Sequence, residues 1–139
     1  MNKDSGGSKG KLQQQVLEFC RHVAGSAQIS AISVLGNYST GTSNTRATLE
    51  AVLVIRDFQP RLMSYVKIIG GRSIIFFAVD QWVFERDIDR GFLGEALAGT
   101  LIFPHTALLG KEYLHKQEIL LKKRLILELL ENLVLSFPE

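Results

Sequence analysis

The sequence predicts an α/β (α+β) domain: a small mixed sheet flanked by helices, followed by a long C-terminal helix. Three observations lead there. Leu49 to Ile55 and Ser73 to Val79 have strand length and hold the apolar runs Ala51 to Ile55 and Ile74 to Val79, as expected for strands covered on both faces. Segments with helical spacing alternate with them, which is the order of an α/β domain. From Lys111 to about Ser136 no glycine or proline interrupts the chain, and Pro138 lies just beyond.

Leu12, Val16, Phe19, Cys20 and Val23 recur at helical spacing, predicting a first helix over 10–24 behind a flexible leader at 1–9. Gln28 to Leu35 reads as a strand ending at Gly36. Asn37 to Thr48 is rich in Ser, Thr and Asn and reads as a turn or short helix before the Leu49 strand. Asp57, Phe58 and Pro60 look like a helix start, with Leu62, Val66 and Ile69 along one face; a strand hairpin turning at Gly70-Gly71 is the competing reading. After the Ser73 strand, Asp80 is placed to cap a helix over 81–89, and Phe92 to Ile102 continues helically up to a break at Phe103-Pro104-His105. The expected organisation is thus a leader at 1–9, an α/β domain at 10–110 and a long helix at 111–139.

Composition narrows the function classes. With 139 residues, 46% hydrophobic and 22% charged, the chain has the size and apolar content of one folded domain. Sixteen basic against fourteen acidic residues leave +2, and that excess lies wholly in residues 1–27, so charge indicates no nucleic-acid partner. A lone cysteine, Cys20, can form neither an internal disulfide nor a thiolate metal cage, which points to a reducing, cytoplasmic setting. No run approaches the roughly twenty apolar residues of a membrane span, and the N-terminus lacks the apolar core of a signal peptide.

Leu35-Gly36-Asn37-Tyr38-Ser39-Thr40-Gly41, followed by Thr48-Leu49-Glu50-Ala51-Val52-Leu53, resembles the signature of the nucleotidyltransferase superfamily, the DNA polymerase beta-like and small prokaryotic nucleotidyltransferases. In that family a strand leads into a Gly-Ser turn that approaches a triphosphate. The next strand carries Asp-x-Asp, and a third acid stands on a later strand. Glycine lets backbone reach phosphate, and paired carboxylates position two metal ions for in-line displacement. By this resemblance Gly36, Asn37, Ser39, Gly41 and Thr48 are the nucleotide-binding positions, and Glu50 is the catalytic, metal-holding acid. The pattern departs from the family at three places. Asn37 replaces the usual serine, and Thr48 replaces the first acid with a neutral hydroxyl, a weak Mg²⁺ ligand. Ser73, Ile74 and Ile75 offer no acid where the third is expected. The implied cofactor is Mg²⁺, only if the site is active, and the implied small-molecule partner is an NTP.

Other chemistry-bearing residues read as structural. Glu85 and Asp89 share a helical face with Arg86 and Arg90 beside them, an ion-paired surface rather than a metal site with Asp87. His22, His105 and His115 have no ligand spacing, Cys20 falls on an apolar face, and Trp82, Phe84 and Phe92 read as core. Lys122-Lys123-Arg124 reads as a solvated face. Apolar residues in the last helix cover more than the roughly 100° stripe one surface requires, so residues 119–137 should pack on the domain and on a partner, either a second copy or a further helical domain. Three functions compete: a nucleotidyltransferase-like domain with weakened or lost transfer and residual nucleotide binding, an active Mg²⁺-dependent nucleotidyltransferase, and a non-enzymatic interaction module.

Overall fold

The computed structural model describes residues 4–35 and 48–137. Its elements are α1 (Asp4–Ala24), β1 (Ile29–Leu35), β2 (Leu49–Ile55), β3 (Leu62–Ile69), β4 (Arg72–Asp80), α2 (Gln81–Arg90), a short 3-10 helix (Ala98–Ile102), β5 (His105–Leu109) and α3 (Lys111–Ser136). The five strands form one mixed sheet in the order β3-β4-β2-β1-β5, as the predicted fold class requires. β2 and β4 run parallel and every other pair is antiparallel.

Period-two alternation divides the central strands between two cores. Leu49, Ala51, Leu53 and Ile55 of β2, with Ile74, Phe76 and Ala78 of β4, pack beneath Val16 and Cys20 of α1. Val52, Val54 and Val79 point the other way, against Phe84 and Ile88 of α2 and Leu114 and Leu121 of α3. The result is three layers, α1 over the sheet over α2 and α3, which explains why β2 reads as a continuous apolar run from Ala51 to Ile55.

Four readings need correction. Residues 62–69 are strand β3, so the hairpin reading holds and the helix reading fails: Gly70 and Gly71 both take positive φ, 58° and 79°, as a two-residue hairpin turn requires. Tertiary pairing with β4 overrides the i, i+4 spacing of Leu62, Val66 and Ile69. Helix α1 begins at Asp4, six residues earlier than read. Residues 92–102 form turns and a 3-10 helix rather than an α-helical continuation. His105–Leu109 is a fifth strand, paired to β1 at the sheet edge.

Asp80 is the N-cap residue of α2 but makes no side-chain cap bond. The chain leaves β2, passes the end of β4 to reach the outer edge as β3, and returns as β4. Asp80 holds that crossing, accepting the Phe58 amide at 2.9 Å and the Arg61 guanidinium at 3.3 Å.

Candidate functional site

Gly36, Asn37, Ser39 and Gly41 lie outside the described residues. Around them, β1 leads into the 36–47 segment and β2 leaves it, side by side and antiparallel, with Leu35 opposite Glu50. β4, where the resemblance expects a third acid, borders β2 on its other edge with Ile75 opposite Glu50. Val66 pairs with Ile75 and His105 with Leu35. One row thus crosses all five strands: Val66, Ile75, Glu50, Leu35 and His105. Glu50 has the same parity as Val52 and lies on the α2/α3 side of the sheet, but at an end those helices leave open, and its side chain is exposed. Thr48 is exposed immediately before β2.

This shelf supplies one carboxylate. Both residues opposite Glu50 are apolar, and His105 stands two strands away, about 10 Å at ordinary strand spacing. The His105 ring is engaged with the Phe103 carbonyl at 2.9 Å. Residues 36–47 contain no Asp or Glu. Among the described residues no group of three or more His, Cys, Asp or Glu could hold a metal ion. Two Mg²⁺ ions need several shared oxygen ligands, so the residues present do not fit a two-metal centre.

A second concavity, of about 650 Å³, opens where β2 and β4 end, lined among others by Phe58, Arg61, Asp80, Trp82 and Phe92. Trp82 and Phe92, read from sequence as core, are both exposed and meet edge to face at 6.4 Å. The Arg61 and Arg86 guanidinia lie 6.0 and 5.6 Å from the Trp82 ring centre. Phe84 is fully buried as expected.

Behind α2 lies a buried polar network that the sequence reading misplaces. Asp87 is fully buried, not part of an ion-paired surface. Its carboxylate accepts the amides of Leu93, Glu95, Leu97 and Ala98 at 2.8, 3.0, 3.3 and 2.9 Å. Arg124 is not on a solvated face: it donates to the Ile88 carbonyl at 2.7 Å and to Glu95 and Glu128, both at 2.8 Å. This placement satisfies a carbonyl at the C-terminal end of α2, where a cation also opposes the helix dipole. Tyr113 donates to Glu85 at 3.0 Å. Burial, then the Glu85 charge and hydrogen bond, raise the Tyr113 pKa. Cys20 is buried in the α1 core as expected, and desolvation pushes its thiol up to about 12, which makes it inert as a nucleophile.

No helix among the described residues is long and apolar enough to cross a membrane. No protein-family model matches the chain, and no curated protein matches it.

Proposed function

We propose that the chain is a nucleotidyltransferase-like domain that binds a nucleotide beside the Gly36–Gly41 segment and does not perform two-metal nucleotidyl transfer. The observation that carries this reading is the row across the sheet: the strand entering the glycine segment, the strand leaving it and the parallel β4 lie edge to edge, yet in the row Val66, Ile75, Glu50, Leu35 and His105 only Glu50 supplies a carboxylate. By the resemblance, the glycines of the segment joining β1 to β2 would offer backbone amides to a phosphate without needing metal. Thr48 and Glu50 follow the same segment and would contact the ribose or base.

Titration of the ¹⁵N-labelled chain with ATP, with and without Mg²⁺, tests this. Shifts in the Leu35, Gly36, Glu50 and His105 amides that persist without metal are expected. Metal-dependent shifts accompanied by pyrophosphate release would establish an active transferase instead, and no shifts at saturating nucleotide would remove both. A Thr48→Asp/Ile75→Asp variant adds acids at two positions where the resemblance expects them. It should acquire Mn²⁺ binding, read as paramagnetic broadening around Glu50, that the parent chain lacks.

A further inference from the structure

Helix α3 is 26 residues long, about 39 Å at 1.5 Å per residue, but its buried residues, Leu114, Gln117 and Leu121, all fall in its first half. Leu125 still packs on the core, and beyond it every residue of the helix is exposed. Eight large apolar side chains between Ile126 and Phe137 are each 49% exposed or more, with Leu127 at 61% and Val134 at 72%. Together they offer on the order of 800 Å², about what one partner contributes to a standard protein interface and more than a monomer ordinarily leaves bare.

The domain itself is not the intended cover. At 100° per residue, the line of Leu114, Gln117 and Leu121 that faces the sheet continues through Leu125, which packs on the core, then through Glu128 and Asn132, which are polar, and meets an apolar residue again only at Leu135. The apolar arc of the second half turns away from the domain. At its edge runs a stripe that reads the same from either end: Leu120, Lys123, Leu127, Glu131 and Val134, at spacings of three, four, four and three. The first four of these line a groove of about 730 Å³ opposite Arg86 and Asp89 of α2.

We propose that this stripe is a self-association surface on which α3 of a second copy lies antiparallel, with a two-fold axis at Leu127. Such pairing sets Leu120 against Val134 of the second copy, Lys123 against its Glu131, and Leu127 against its own equivalent. A two-fold contact requires this kind of self-complementarity. Neither Lys123 nor Glu131 has an ion-pair partner among the described residues.

Charge along the helix selects the same occupant and the same direction. Residues 111–124 carry five basic and two acidic side chains, whereas residues 125–139 carry three acidic and no basic ones. That order opposes the helix macrodipole, which favours acids at the N-terminal end and bases at the C-terminal end, so it does nothing for an isolated helix. Antiparallel pairing lays each basic half on the acidic half of the other copy; parallel pairing would set like charge against like.

Sedimentation velocity of the intact chain over a range of concentrations tests the proposal. A concentration-dependent dimer is expected, and Leu127→Glu, an exposed position, should run as a monomer with an unchanged circular dichroism spectrum. Lys123→Glu and Glu131→Lys should each raise the dimer dissociation constant about tenfold, since each breaks two symmetric pairs and creates like-charge contacts. The double exchange should restore it, because the pairs re-form with reversed sign. A chain that stays monomeric, or a dimer indifferent to Leu127→Glu or not rescued by the double exchange, overturns the proposal.

Discussion

Four backbone amides converge on one side chain at Asp87. Residues 91–98 turn back under α2; Gly91, Phe92, Gly94 and Ala96 find backbone carbonyls, and the other four N–H groups need an acceptor from elsewhere. Asp87 supplies both oxygens, each taking two amides. Its neighbours make this possible: Gly91 takes the left-handed conformation at φ 63°, ending α2, and Glu95, also left-handed at φ 59°, places its carboxylate on Arg124. Asp87→Asn keeps the size of the side chain but turns one acceptor into a donor facing donors, leaving buried amides unpaired. The expected loss is about 3 kcal/mol in urea unfolding, within the range for a disrupted buried charge-assisted network. Asp89→Asn, at an exposed position, should change stability by less than about 0.5 kcal/mol in the same measurement.

At the scale of elements, local pattern sufficed wherever an element is held by its own periodicity. β2, α2 and α3 follow the apolar runs and breakers closely, and the Gly70-Gly71 turn is a local signal for the hairpin. The two missed strands share a cause: the deciding interaction is a pairing partner the local pattern does not contain. β3 is a strand because β4 pairs with it. β5 is four half-buried residues and an exposed leucine at a sheet edge with no alternation to mark them, and it exists because β1 offers a free edge. The candidate site divides in the same way. Glu50 and its strand are legible from a local motif, while the apolar residues facing it become visible only through the β1-β2 and β2-β4 registers. The step from β5 into α3 shows how narrow such a constraint can be. Gly110 takes φ 71° and passes so close to β1 that an added Cβ would collide with the Ser30 carbonyl oxygen and sit 2.9 Å from Ala31 Cα. Backbone cannot yield as a flexible side chain can. Gly110→Ala is expected to lower stability by about 3 kcal/mol or more, combining left-handed strain with this clash. Gly25→Ala is the control, because it shares a positive φ but meets nothing within 4 Å. It should cost only about 1 kcal/mol. Paired thermal melts distinguish strain alone from strain with collision.

Taken as a whole, the molecule keeps a weak acid neutral on each side of the sheet. Cys20 lies between α1 and the sheet, and Tyr113 lies on the opposite side, where α3 meets Glu85 of α2. Both are shifted upward, Cys20 to about 12 from an ordinary value of 9.0. The sign of the consequence follows from proton counting. Above pH 9 the unfolded chain releases the Cys20 proton while the folded chain retains it, so the unfolded state binds fewer protons and stability falls as pH rises. The contribution is intact below the unfolded pKa and disappears progressively up to the folded value, with Tyr113 adding a loss of the same sign above about pH 10. One fully shifted group changes stability by about 1.4 kcal/mol per pH unit, so Cys20 alone should remove about 2 kcal/mol by pH 10.5. Urea unfolding at pH 7, 9 and 10.5 measures this directly. Cys20→Ala should start about 1 kcal/mol less stable at pH 7, from the small cavity beneath α1, and then lose less between pH 9 and 10.5 than the parent chain. Tyr113→Phe should likewise flatten the decline, after the initial cost of leaving Glu85 without its hydroxyl donor. Parallel curves for all three proteins would show that the alkaline loss arises elsewhere, in the general build-up of negative charge rather than in the two packed layers.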